Sequence, residues 1–370
     1  MFRVKIANIE EFRNSRQVWN DLVLTMKRPS VFCTWEWIYT WQKHFGNSYE
    51  PVILFILEGD ELVGILPLAL KKMVVEDGLI PGRVLSFCGS EELCSDHLDI
   101  LSSENDAESC IRAALDFIVS EYKKWDILYF SHLAEDSNMI EFLRNGLTAV
   151  DKDMCEVSIA PYISIRKVFA NNFEKYNGSL TRDKRHDLKR RRKVLHDKFG
   201  IRNVKGDPIT SKEAIRDLFF LHNLRAQSKQ METSFHGEDS IQFHEEVSRL
   251  FFRNGWLRLR FLLNREKRIA ALYSFAFSNR LFAYQSGLDP EWETRGAGSA
   301  LLYDLIEEAF KDQMNEFDFL RGGEPYKGTW TKESRTLFNV NIYNFTLWGR
   351  FCKSAFRARR VIKTIFGKKV

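Results

Sequence analysis

The sequence predicts an α/β protein with mixed sheets, made of two related units in tandem. Its 370 residues exceed one ordinary domain and suit two of about 150–200 residues each. Two hairpins repeat without a gap. LFILEGDELVGILPLAL at 54–70 aligns with RFLLNREKRIAALYSFA at 260–276, placing Leu57 over Leu263, Val63 over Ile269 and Leu66 over Leu272. Each hairpin follows an aromatic-bearing helical segment, TWEWIYTWQKHFG in the first half and FHEEVSRLFFRNG in the second. A shared order of helix and hairpin favours two α/β units over one unbroken sheet.

After its hairpin the first half offers strands near Arg83–Cys88 and Leu98–Leu101, a helix at about 106–122 and a strand at Ile127–Phe130. A helix at 136–145 and a strand running to about Ile159 close it. The second half opens with helices at about 211–229 and 239–253. An antiparallel meander follows: Leu257–Leu263, Ile269–Phe277 and Leu281–Ser286. In its first strand Leu257, Leu259 and Phe261 alternate with Arg258 and Arg260, the period of a half-buried strand. Leu301, Leu302, Leu305, Ile306, Ala309 and Phe310 share one helical face, so a helix spans about Ala297–Asp312. A short strand, Phe317–Leu320, comes next.

Composition narrows the class. The chain is 44% hydrophobic and 28% charged, which is globular, and its 30 phenylalanines predict an aromatic interior. A net charge of +5 is mild, so the placement of charge matters more than its sum. The start, MFRVKIANIEEFRNSR, carries charges where a signal peptide needs an apolar core, and the apolar runs are strand-sized. Cysteines 33, 88, 94, 110, 155 and 352 form no Cys-x-x-Cys, which points away from metal and disulfide roles. These features together predict a cytoplasmic protein.

The chemistry gathers near residue 298. Between a meander strand and a helix stands Arg295-Gly296-Ala297-Gly298-Ser299-Ala300, with Ser286-Gly287-Leu288 closing the strand before it. The first turn of a helix has N–H groups without internal partners at the positive end of the peptide dipoles. Glycines and small side chains let a phosphate approach those groups, and Arg295 adds a positive charge. A tight turn with close helix–sheet packing would use the same residues. An antiparallel meander before the loop argues against a nicotinamide site, whose glycine motif follows a parallel strand.

The pattern Arg-x-x-Gly-x-Ala, met by Arg295, Gly298 and Ala300, resembles motif A of the GNAT N-acyltransferase superfamily. DHLDIL at 96–101, LTRDKRHDLKRRRKVL at 180–195, SGLDPEW at 286–292 and FDFLRGGEPYKGTW at 317–330 tighten the likeness. With these the chain resembles the CelD/BcsL-type acetyltransferases of bacterial polysaccharide synthesis, over about residues 18–346, and is similar to FemAB-type proteins with two GNAT-like units. The resemblance implies a first GNAT-like unit at 1–165 without a phosphate loop and a second at 166–346 that binds acetyl-CoA or another acyl-CoA. It further implies that the strands at 281–287 and 317–320 splay to admit the pantetheine arm. Acyl transfer to an amine needs a base, oxyanion donors and an acid for the leaving thiolate. Glu324 is then the candidate base, Tyr326 the acid, and N–H groups near Ser286–Leu288 the donors, with Lys327 and Trp330 shaping a pocket. An exposed Glu324–Lys327 ion pair and simple loop packing by Tyr326 and Trp330 would use the same residues.

Three further stretches bear on the acceptor. Asp96 and Asp99 stand three apart, so on an extended chain at most one faces a cleft, where it could hold an amine. RDKRHDLKRRRK at 182–193 has eight Lys or Arg and a narrow apolar stripe of Leu188, Leu195 and Phe199. Such a helix is a solvated face or faces an anionic acceptor, with Arg185 the residue the resemblance favours. It lacks the aromatic platforms of nucleic-acid readers. The last stretch, 347–370, reads as a basic amphipathic C-terminal helix, with Trp348, Phe351, Phe356, Val361 and Ile365 along one side among cations, and fits either packing on its own domain or resting on an anionic membrane. The expected partner is a small-molecule or glycan-precursor acceptor. A FemAB-type aminoacyl transferase and a non-catalytic membrane-associated component of polysaccharide assembly stand as alternatives.

Overall fold

The computed structural model describes residues 2–75, 80–145, 152–209, 213–231, 233 and 235–355. Two compact units emerge, one of residues 1–91, 95–157 and 336–370, the other of 92–94 and 158–335.

The first unit holds strands β1 (Phe2–Ile6), β2 (Glu50–Glu58), β3 (Glu61–Val75), β4 (Ile80–Phe87), β5 (Leu101–Ser102) and β6 (Ile127–Ala134). Its helices are α1 (Ile9–Asn14), α2 (Arg16–Thr25), α3 (Trp35–Phe45), α4 (Ala107–Ser120) and α5 (Asn138–Asn145). β1 to β4 pair antiparallel in sequence order, and β6 then lies parallel to β4. Helix α4 lies so close to β3 that a Cβ on Gly64 would stand 2.8 Å from Cys110 Sγ. Trp19, Trp37, Trp41, Phe32 and Phe130 are fully buried, the aromatic interior the composition predicts.

The second unit takes in β7 (Lys152–Ser164) by its end, and adds β8 (Arg202–Lys205), β9 (Leu257–Asn264), β10 (Lys267–Phe277), β11 (Arg280–Leu288) and β12 (Glu316–Asp318). Helices α6 (Phe173–Ser179), α7 (Arg182–Phe199), α8 (Ala214–Ser228), α9 (Glu238–Arg253) and α10 (Ala297–Lys311) pack against it. β8 to β11 pair antiparallel, β12 lies parallel to β11, and β7 closes antiparallel on β12. Leu301, Leu305 and Ile306 of α10 share a core with Leu188 and Leu195 of α7 and with Ile269, Leu281 and Phe317 of the sheet.

The two units therefore repeat one plan: an antiparallel meander, a helix, and a strand parallel to the last meander strand. The fold is α/β with mixed sheets, as the hairpin repeat predicts.

Two boundaries fall elsewhere than the sequence places them. Strand β13 (Ser334–Tyr343), placed by the sequence in a second unit of 166–346, pairs antiparallel with β6, Leu337 opposite Ala134 and Tyr343 opposite Ile127. The chain likewise passes from the first unit into the second after Val157 rather than after 165, and Tyr162–Ser164 of β7 pair with β12. An apolar strand pattern shows that a segment is buried but not which sheet edge it joins. Of the expected C-terminal helix, 347–355 is helical and 356–370 lies outside the described residues.

Candidate active site

The second unit opens where β12 leaves β11. Pairs Arg280–Glu316, Leu281–Phe317 and Phe282–Asp318 join the two strands, and no pair follows. Beyond Asp318 the chain tracks β7: Phe319 N–H donates to the Pro161 carbonyl (2.9 Å) and Gly322 N–H to the Ile159 carbonyl (2.9 Å). Asp318 Oδ1 accepts from Leu320 N–H (2.7 Å) as Leu320 takes a φ of 59°. β11 meanwhile stays on β10. Tyr284 is an extra residue between pairs Ala283–Ser274 and Gln285–Tyr273, a bulge that redirects the strand.

Past the bulge, Asp289 N–H donates to the Ile269 carbonyl (2.9 Å). Antiparallel pairing alternates, so the Gly287 amide turns to β10 while those of Ser286 and Leu288 turn to the open edge. These are the N–H groups the sequence offers as oxyanion donors.

Helix α10 begins beside that edge. Gly296, its N-cap, has a φ of 74°, and no side chain caps the first turn. Ala300 N–H donates to the Gly296 carbonyl (3.0 Å), which leaves the amides of Ala297, Gly298 and Ser299 ahead of the helical ladder. Ala297 and Ala300 are buried, Gly298 and Ser299 half-buried. A Cβ on Gly298 would meet nothing nearer than Leu288 Cδ2 at 3.7 Å, so the surface over this turn is open there. At Gly296 the room is taken by Arg191, whose Nη1 donates to the Thr294 carbonyl (3.2 Å). Arg295 stacks on Trp292 and Phe199, its guanidinium carbon 4.6 and 5.0 Å from the ring centres.

The other expected side chains divide. Tyr326 is 42% exposed, and its hydroxyl is pushed up to about 12 by lost hydration and then by the Glu324 charge, with Arg225 pulling the other way. It therefore holds its proton at neutral pH. Glu324 is exposed and ion-paired with Lys327 Nζ (2.9 Å). Lys327 is buried and also donates to the carbonyls of Arg321 (2.6 Å) and Leu320 (3.3 Å), fastening the loop that carries Tyr326. Trp330 is buried in the core, its carbonyl accepting from Tyr176 Oη (3.2 Å), with Lys184 Nζ 4.1 Å above the ring. Arg185 is spent on the carbonyls of Gly178 (2.7 Å) and Leu180 (2.9 Å), locking α6 to α7.

In the first unit, Asp99 accepts from the amides of Ile100 (2.9 Å), Asn138 (2.8 Å) and Met139 (3.1 Å) and so caps α5. Burial still pushes its carboxyl up to about 7 against those three donors. Asp96 is buried, and its carbonyl accepts from Ser30 Oγ (3.4 Å).

Two residues of α8 join the site without having been singled out in the sequence. Arg225 Nη1 donates to Ser286 Oγ (2.7 Å), and His222 Nδ1 meets the Ser286 carbonyl (3.0 Å) while Nε2 meets Thr233 Oγ1 (2.8 Å). Burial lowers the His222 pKa, so the imidazole is neutral and donates from Nδ1 to the carbonyl. Their signal was spacing alone: His222 and Arg225 stand three apart on one helical face. Helix α8 lies directly on β11 because Gly287 has no Cβ; one there would stand 2.6 Å from Leu221 Cβ and 2.7 Å from His222 N.

Residues 182–328, all within the second unit, match the Acetyltransferase (GNAT) domain family, which supports an acyltransferase and implies an acyl-CoA donor. Among solved structures, FemX is similar at 11% identity, over 92% of this chain and 98% of its own, with a TM-score of 0.60. A conserved Bacteroides thetaiotaomicron protein of unknown function is similar at 10% identity over 93% and 100%, TM-score 0.56. The C-terminal domain of an Agrobacterium fabrum protein described as a lysylphosphatidylglycerol synthetase is similar at 7% identity over 93% and 96%, TM-score 0.56. Likeness at these identities is likeness of fold. No curated protein matches the chain.

Proposed function

We propose that the protein transfers an acyl group, acetyl in the first instance, from acyl-CoA directly to an amine of a small or glycan-precursor acceptor. One observation carries this reading: the uncapped start of α10 lies beside the edge where β11 and β12 part, inside the GNAT-matched segment. The amides of residues 297–299 take the diphosphate of CoA, with Arg295 held at the rim by Trp292 and Phe199. The thioester reaches the opening, where the Ser286 and Leu288 amides face its carbonyl oxygen. The acceptor nitrogen forms the new C–N bond, Glu324 takes its proton, the C–S bond breaks, and Tyr326 protonates the departing sulfur. His222 and Arg225 are positioning residues that fix Ser286 from the α8 side. The CelD/BcsL-type likeness in sequence supports a polysaccharide-precursor acceptor and a cytoplasmic setting.

The test is a CoA-dependent rise in melting temperature, which ligand binding produces by mass action, followed by free-thiol release from acetyl-CoA with sugar-nucleotide amines and polyamines as acceptors. A protein that neither melts later with CoA nor releases thiol with any of them lacks this activity. FemAB-type aminoacyl transfer is the second reading, favoured by the likeness of fold to FemX and to the lysylphosphatidylglycerol synthetase domain. Against it stands the open α10 start, since an aminoacyl-tRNA donor needs no cradle for the CoA diphosphate.

A further inference from the structure

We infer that Arg225 receives an anionic group of the acceptor, a carboxylate or a phosphate carried near the reacting amine, so that neutral amines and polycations are the poorer acceptors. The inference rests on the acyl-transfer reading and names the class of its second substrate. Strand geometry places the guanidinium at the opening. Side chains alternate along β11: Gly287 faces α8, where a Cβ would stand 2.6 Å from Leu221 Cβ, and Leu288 faces α10, its Cδ2 3.7 Å from the place of a Cβ on Gly298. Ser286 therefore points away from α8 as well. Arg225 is rooted on α8, yet its Nη1 donates to Ser286 Oγ (2.7 Å). Its side chain reaches that hydroxyl round the free edge of β11, beyond the last pair with β12 at Phe282–Asp318. His222, three residues earlier, meets the Ser286 carbonyl (3.0 Å), which turns to the same open edge as the Ser286 N–H.

Neighbouring cations are already engaged. Arg185 donates to the Gly178 and Leu180 carbonyls, and Lys327 is held by Glu324 and by two carbonyls. Arg295 lies on two rings, and Lys229 pairs with Glu293 (2.7 Å). Arg225 differs from all of these. It is half-buried and spends its Nη1 on a neutral hydroxyl; among the described residues no carboxylate, carbonyl or ring holds the rest of its fork. A charge partly withdrawn from water without a counter-ion is costly, and an anion that joins it offsets that cost.

The same charge is felt at Tyr326, where Arg225 pulls against burial and Glu324. The guanidinium thus stands within electrostatic reach of the proposed acid and, through Ser286, beside the amides that face the thioester carbonyl. An anion bound there lies a few bonds from the reacting nitrogen, as in an α-amino acid or an amino-sugar phosphate. The planar fork of arginine takes a carboxylate or a phosphate through paired parallel bonds, which orients the amine as well as adding affinity. Rings back this side of β11: Phe235 is centred 5.0 Å from His222 and 6.3 Å from Tyr284. Fewer waters there strengthen a charge pair.

The experiment melts the full chain with CoA at saturation, so that the start of α10 is filled, and adds acetate or inorganic phosphate as probes against chloride at equal ionic strength. The expected result is a further rise in melting temperature with one of the two anions, acetate marking a carboxylate acceptor and phosphate a phosphorylated one. Arg225→Gln, which keeps a donor for Ser286 Oγ, removes that rise. Free-thiol release from acetyl-CoA then compares L-alanine with L-alaninamide, and glucosamine 6-phosphate with glucosamine. The favoured anionic amine exceeds its neutral counterpart in kcat/KM by about tenfold to a hundredfold, and Arg225→Gln erases the difference. Any loss that comes through a displaced Ser286 weighs on both amines and cancels in their ratio. No rise with either anion, a rise that Arg225→Gln retains, or a ratio that the variant leaves unchanged overturns the inference. Loss of the CoA-induced rise itself in Arg225→Gln would place the guanidinium on the donor and overturn it equally. CoA alone tests the acyl-transfer reading, so a protein that CoA stabilises but acetate and phosphate do not keeps that reading and loses this one.

Discussion

Replacing Gly298 by valine separates folding from donor binding. In the free protein a Cβ there meets only Leu288 Cδ2 at 3.7 Å, an ordinary contact. Valine is also a better helix former than glycine, by up to about 0.5 kcal/mol, so the melting temperature should hold or rise by about 1–2 °C. The same Cβ and its methyls cover the amides ahead of the ladder. A phosphate held off them forfeits two charge-assisted hydrogen bonds of about 1.5–3 kcal/mol each. The sum, about 3–6 kcal/mol, weakens CoA binding by about a hundredfold at the least. Calorimetric titration with CoA reads the affinity, and a ligand-free melt certifies the fold. A folded valine variant that binds CoA within threefold of wild type refutes the placement of the diphosphate.

Three further substitutions probe the site and its supports. Tyr326→Phe should lower kcat by about 10²–10⁴-fold with little change in KM; because the hydroxyl is pushed up to about 12, wild-type kcat should not lose this acid between pH 7 and 10. Gly287→Ala should cost about 1–3 kcal/mol in urea unfolding, since the new methyl meets the α8 backbone. Asp99→Ala should cost about 1–2 kcal/mol through the lost cap of α5, with KM for the acceptor unchanged. Asp99 also gives a pH signature. Its folded pKa of about 7 lies above the ordinary carboxylate value, so the folded state holds more protons than the unfolded one between about pH 4 and 7. Stability contributed there falls as pH rises through that window, and Asp99→Asn should flatten the slope relative to wild type.

The sequence was most legible where periodicity and glycine coincide. The meander, α10 and the open turn at Gly298 follow from alternating and helical apolar spacing and from small residues at a helix start. The destination of Ser334–Tyr343 was hidden, because an apolar strand pattern shows burial but does not name the pairing partner. Cations were the least legible. Arg185, Lys327 and Arg295 look available in the sequence, yet carbonyls, a carboxylate and aromatic rings occupy them in the fold. Arg225 and His222 sit unmarked in LFFLHNLRAQS, and only the contact of α8 with Gly287 brings them to Ser286. Asp99 carries a motif-like spacing for a reason of architecture: three amides needed an acceptor.

Amide hydrogen exchange with and without acetyl-CoA tests the central assignment most directly. Bound acetyl-CoA should slow exchange in peptides covering Ser286–Leu288 and Ala297–Ala300 by about tenfold or more, because the amides of Ser286 and Leu288 and of residues 297–299 become donors to the ligand. Heat of binding accompanied by protection elsewhere, with these two segments unchanged, would contradict it.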